Sequence, residues 1–244
     1  MRTIERENRS EILDLSNADL TYVDLSYAKL SGVNLAGADL TKACLAHVDL
    51  TGANLSNCNL SQARLWWADL TKVNGAGAIL TESNLSMANL TGAELSEVNL
   101  SNANLNEAKL AGARLIRANL SKAYLYGTDL TEADLTGAIL TSARLEWVNF
   151  HKADLTEANL LMVSVTSADL TGARLVGAKS DKFDIIKMIA DQEYQYSLEK
   201  YQLLLEITRR YRFENNNFPT ELANKIGEDL IHFTVGSLAL SRLY

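Results

Sequence analysis

The sequence predicts an all-β solenoid over most of its length, and three observations carry that prediction. From Leu15 to Leu175 every fifth residue is Leu at thirty of thirty-three positions, with Gly75, Phe150 and Val165 as the exceptions. Two residues before each of these positions stands a small residue: Ala at twenty-two, Val at seven, and Leu13, Cys58, Ser83 and Thr128 at the rest. After each comes a pair such as "TG", "SN", "TE" or "SK". A period of five matches neither the 3.6 of a helix nor the 2 of a strand. It matches a chain that turns once per unit.

Within a unit the small residue, a mostly polar residue and the Leu form triplets such as "ADL" and "ANL". Their alternation of in, out, in is that of a very short extended segment. The following pair is turn vocabulary, which redirects the chain before the next segment. Each unit is thus one short side and one corner, repeated thirty-three times.

Tandem A(D/N)LXX units covering residues 13 to 178 resemble the pentapeptide repeat family. The resemblance implies a right-handed quadrilateral β-helix of about eight coils, four units to a coil, with the Leu and the small residue pointing inward. Packing supports it: four leucines fill the axis of a narrow tube and leave room only for Ala-sized groups beside them. Each inward Leu then contributes about 1.5–3 kcal/mol, and stacking at about 4.8 Å per coil gives a rod of roughly 40 Å. Gly75, in "KVNGAGAIL", leaves one layer short of a side chain. That is either a tolerated defect or a ligand niche.

The ends depart from the rule. Residues 1 to 12 read as an N-terminal cap. Beyond Lys179, Ser180 or Asp181 is placed to cap a helix in which Phe183, Ile186, Ala190, Tyr194, Leu198, Tyr201 and Leu205 recur at helical spacing. "ENNNFP" is a loop, and Pro219 opens a second amphipathic helix through Leu222, Ile226, Leu230 and Phe233. Residues 179 to 244 are therefore expected to form an α-helical hairpin that caps the rod end or, through surplus residues such as Leu238, Leu240 and Leu243, joins two copies.

A net charge of −7 argues against a direct grip on nucleic acid or on an anionic membrane surface. No apolar run approaches the roughly 20 residues that span a bilayer, and the start "MRTIERENRS" lacks an apolar signal core. A cytoplasmic protein is expected, with Cys44 and Cys58 unpaired on opposite sides of the chain wall. No catalytic constellation emerges: His47, His151 and His232 are scattered, and Cys44 with His47 falls short of a zinc ligand set. "GAGA" lacks the third Gly of a dinucleotide fingerprint. Neither an enzyme nor a cofactor is expected.

Folding the chain at twenty residues per coil brings the stretch "SQARLWWADL" into register with others. One face, carrying Leu25, Leu45, Leu65, Leu85, Leu105, Leu125, Leu145 and Val165, collects Tyr27, Trp66, Trp67, Tyr124, Tyr126 and Trp147 on its outer side. All three tryptophans of the chain are among them, and Tyr22 lies at the corner leading in. The polar residue before the Leu is replaced there by Cys44, Arg64, Tyr124, Arg144 and Ser164. Grouped aromatic and Arg residues have the composition of interaction hot spots. Stacking between coils or covering by the C-terminal segment are the alternative uses of such a face.

Three functions follow. A protein-interaction scaffold or regulator would present this face, with Tyr27, Arg64, Trp66, Trp67, Tyr124, Tyr126, Arg144 and Trp147 as contacts. The resemblance implies an alternative, a DNA-mimicking inhibitor or protector of the topoisomerase gyrase, and a bacterial source, since members abound in photosynthetic bacteria. Seventeen acidic against eleven basic residues over 13 to 178 is a diluted acidity for such a mimic, and no long loop interrupts the coils. Saccharide or small-ligand binding on the aromatic face is the third.

Overall fold

The computed structural model describes residues 12–181 and Ile185, within a unit bounded as Met1–Ile186. The expected N-terminal cap, Ile12 excepted, lies outside the described residues, as does the expected helical hairpin except for Lys179, Ser180, Asp181 and Ile185; Lys179 and Ser180 are not helical but pair as a strand with Asn159 and Leu160, continuing the stack.

Parallel bridges join each outward middle residue to the one twenty positions on, from Asp14↔Asn34 to Asp154↔Arg174. A coil therefore closes after four pentapeptides. The sides are so short that each makes a single bridge. Among the described residues only Asn159–Leu160 (β1) and Lys179–Ser180 (β2) extend to a two-residue parallel pair. The all-β reading thus holds as a stack of bridges and not as long strands, because a two-residue corner interrupts every three-residue side.

The unit around Leu65 shows how the backbone is satisfied. Arg64 N donates to Ala43 O in the coil before at 2.9 Å, and Leu65 N to Asn84 O in the coil after at 2.7 Å. Trp67 N reaches Ser86 O at 3.0 Å, and Ala68 N closes the corner on Leu65 O at 3.0 Å. The second corner residue is left-handed at all thirty-three corners, twenty-three of them not Gly, with φ of 59° at Trp67 and 61° at Trp147. That is the φ signature of a type II turn, and it is why ten of the thirteen glycines fall at this offset.

A second bond fixes the corners. The middle Asp or Asn accepts the backbone N–H two residues on, as Asp49 does from Thr51 at 3.0 Å, and frequently the Ser or Thr hydroxyl there, as Asp69 does from Thr71 at 2.6 Å. This explains the frequency of "DLT" and "NLS": both residue types serve one Asx turn. The hydrogen bonds hold the carboxyls of Asp19, Asp24, Asp49 and Asp169 below the ordinary 3.8, with the Thr or Ser bonds the leading cause.

The core is the inward leucines, buried from Leu35 to Leu160 with Phe150 in a Leu position, and the small residues between them. Inward polar atoms borrow carbonyls: Thr128 Oγ1 donates to Leu105 O at 2.8 Å and Ser83 Oγ to Leu80 O at 2.7 Å. Cys58 points inward, where burial pushes its thiol up to about 11, and Cys44 points outward, both unpaired. Gly75 leaves an apolar gap of about 10 Å³, at the lower limit for a single water. Leu95 Cδ2 lies 2.9 Å from where a Cβ on Gly75 would stand, so the next layer leans into the space. The gap is a local defect, too small for a ligand.

Candidate functional site

Register brings the face together from residues far apart in sequence. Tyr27, His47, Trp67, Met87, Glu107, Gly127 and Trp147 succeed one another up one corner. Asp24, Cys44, Arg64, Asn84, Asn104, Tyr124 and Arg144 form the middle column, bridged pair by pair. Trp67 and Trp147 therefore occupy the same edge, four coils or about 19 Å apart. They are 55% and 62% exposed, and Tyr27 is 70% exposed.

The eight predicted contact residues separate into two clusters. In the lower one the Tyr27 and His47 rings stack at 4.8 Å and 5°, and His47 meets Trp66 edge-on at 4.7 Å and Trp67 nearly parallel at 6.2 Å. Trp66 is half-buried against this group, while Arg64 beside it is exposed. In the upper one the Arg144 guanidinium lies 5.0 Å from the exposed Tyr124 ring, with Tyr126 and Trp147 exposed on the adjoining corners. His47 is not among the eight predicted contacts, although it stands twenty residues from both Tyr27 and Trp67, and that column position is the sequence signal for it. Tyr22 joins a separate edge, where Lys42 Nζ lies 5.5 Å from its ring.

Between the clusters the middle column is polar, with Met87 exposed on the corner beside it. An open depression of about 390 Å³ is lined by Glu82, Ser83, Asn84, Asn102, Asn104, Asn106 and Tyr124.

Charge is arranged differently around the rod. Arg114–Glu94, Arg117–Glu97, Lys152–Glu132 and Arg174–Asp154 pair between neighbouring coils at 3.1–3.8 Å, all on other faces. Among the described residues neither Arg64 nor Arg144 has a carboxylate within ion-pair distance. Also among the described residues, no group of three His, Cys, Asp or Glu is placed to hold a metal, and no helix is long and apolar enough to cross a membrane.

No curated protein matches the chain. Among solved structures, HetL of the cyanobacterium Nostoc, a pentapeptide repeat protein involved in heterocyst differentiation regulation, is 29% identical over 66% of this chain and 89% of its own, with a TM-score of 0.27. Rfr23 of the cyanobacterium Cyanothece is 36% identical over 43% of this chain and 60% of its own, at 0.28. QnrB1, a plasmid-mediated fluoroquinolone resistance protein, is 17% identical over 72% and 97%, at 0.46. The family model for pentapeptide repeats, in eight copies, matches residues 18–57, 58–96, 93–131, 128–160 and 149–179. With that match over most of the chain and a coil that closes every twenty residues, the protein belongs to the pentapeptide repeat family, whose members fold as right-handed quadrilateral β-helices.

Proposed function

We propose that the rod is a non-enzymatic interaction scaffold or regulator that presents the Leu25 face to a protein partner. The observation that carries this reading is a local loss of stabilising bonds. At five of eight middle positions on this face the Asn or Asp is replaced, against two or three on each of the other faces. Every replacement removes an Asx acceptor whose net contribution is about 0.5–1.5 kcal/mol. The incoming Arg64, Tyr124 and Arg144 point away from the core and add nothing to it. What they add is exposed aromatic and guanidinium surface, the material of binding hot spots. DNA mimicry has weaker support, since the four intercoil ion pairs neutralise acidic side chains along the rod.

Affinity capture from cells of the source organism tests the proposal. A partner held by the wild-type rod and by a Lys152→Ala control, but lost from a folded Trp67→Ala, Trp147→Ala double variant, supports it. Equal capture by the double variant sinks it.

A further inference from the structure

The depression between the two aromatic clusters has a chemistry of its own. Its floor is Asn84 and Asn104, bridged one above the other, with Asn102 and Asn106 beside them, Glu82 on one rim and the Tyr124 ring at one end. Elsewhere stacked asparagines join hands: Asn54 Nδ2 donates to Asn34 Oδ1 at 3.0 Å, and Asn119 Nδ2 to Asn99 Oδ1 at 3.4 Å. Asn104 makes no such bond to Asn84. The Oδ1 atoms of Asn84, Asn104 and Asn106 accept from the backbone N–H of Ser86, Asn106 and Tyr126, which fixes the orientation of each amide. Their Nδ2 groups donate to no described residue. Three oriented amide donors thus meet one open hollow, whose opposite need is met by Glu82, a pure acceptor whose Oε2 takes Gln62 Nε2 at 2.9 Å and whose Oε1 accepts from no described residue.

We infer that this hollow is a binding site for a neutral saccharide. A hydroxyl donates and accepts at once, so neighbouring sugar hydroxyls match amide donors set beside a carboxylate acceptor. The apolar face of a pyranose matches the face of the exposed Tyr124 ring that Arg144, 5.0 Å from the ring centroid, leaves uncovered. An apolar protein anchor finds no aliphatic floor here, and an anion meets Glu82. The hollow's volume of about 390 Å³ lies within the usual 300–1,000 Å³ of small-ligand sites. This site shares Tyr124 with the proposed partner surface but includes neither Trp67 nor Trp147, and it does not depend on the protein-partner reading.

Titration of the ¹⁵N-labelled full chain with maltotriose, cellotriose and chitotriose, followed through the Asn side-chain NH₂ signals, tests the inference. At least one probe should give saturable shifts at Asn84, Asn104 and Asn106. Asn104→Asp keeps the acceptor that caps Asn106 N but removes the donors, and it should weaken binding at least tenfold, as Tyr124→Ala should. The Trp67→Ala, Trp147→Ala variant should keep the saccharide shifts, which separates failure of this site from failure of the partner surface. Absence of saturable shifts with all three probes, or unchanged binding in Asn104→Asp, overturns the assignment.

Discussion

Leu105→Ala probes the register on which every surface argument depends. Leu105 is fully buried, and Leu85 and Leu125 beneath and above it are equally so. Truncation removes three carbons, about 2.4 kcal/mol of transfer free energy. A cavity contribution adds to this. Neighbouring layers cannot close over the gap, because Leu105 N is bonded to Tyr124 O at 2.7 Å and Asn104 N to Ser83 O at 2.9 Å, pinning the wall to both adjacent coils. The loss should therefore fall in the upper half of the observed Leu→Ala range, about 4 kcal/mol. Urea unfolding followed by far-ultraviolet circular dichroism and by tryptophan emission reads it. A second truncation separates column from distance in sequence. Leu125→Ala opens the same void and should depart from additivity by about 0.5–3 kcal/mol, whereas Leu45→Ala, three coils away, should add within about 0.5 kcal/mol. A loss below about 1.5 kcal/mol, well under that range, or stronger coupling to Leu45 than to Leu125, would refute the packing argument.

Two further perturbations test the corners. Gly112 has φ +64° and open space where a Cβ would stand, so Gly112→Ala isolates the left-handed penalty. Its expected cost is about 1 kcal/mol, a fall of roughly 2–4 °C in the thermal midpoint. The Asx carboxylates make stability depend on acid. Their folded pKa lies below the unfolded 3.8, so their contribution is complete above that value and is lost as pH falls through the folded one. The urea midpoint should be flat above about pH 5 and decline below about pH 4, with a shallower decline in Asp49→Asn, which keeps an acceptor for Thr51 but does not titrate.

What the sequence revealed follows from where constraint is tightest. Inside the tube only a narrow range of volumes fits each position, so Leu and Ala dominate and the twenty-residue coil is legible by counting. The corners are half legible: Gly32, Gly37 and Gly52 all stand two after a Leu, which marks a turn, while the positive φ shared by Gly and non-Gly residues there appears only in the structure. The pairing of Asp69 with Thr71 was equally visible as "DLT", yet its meaning needs three dimensions, since an oxygen must curl back to a nitrogen two residues on. The division of the aromatic face into two clusters was not legible, because it arises from which side chains lean together and not from column membership. At Gly75 the sequence admits both a defect and a niche, and it is Leu95, leaning into the space, that makes it a defect.

The corner geometry also explains why aromatic side chains gain from standing there despite the strain. A non-Gly residue in the left-handed region costs about 1–2 kcal/mol, and Tyr27, His47, Trp67 and Trp147 all bear it. In return each ring is carried on a backbone point fixed by an intercoil hydrogen bond, as Tyr27 N is to Ala46 O at 2.9 Å. The coil rise then sets the ring spacing. The 4.8 Å between the Tyr27 and His47 centroids equals the sheet spacing of about 4.8 Å, so these two rings stack at the rise of the coil itself, while Trp67 continues the ladder nearly parallel at 6.2 Å. Such a ladder loses little further freedom when something docks on it, and the ordering that binding ordinarily requires, about 0.5–1.5 kcal/mol per side chain, has already been met by folding. A flexible surface bearing the same rings would bind more weakly. Replacing His47 with Ala, which removes the rung between Tyr27 and Trp67, should therefore weaken partner capture through the two rings it leaves in place.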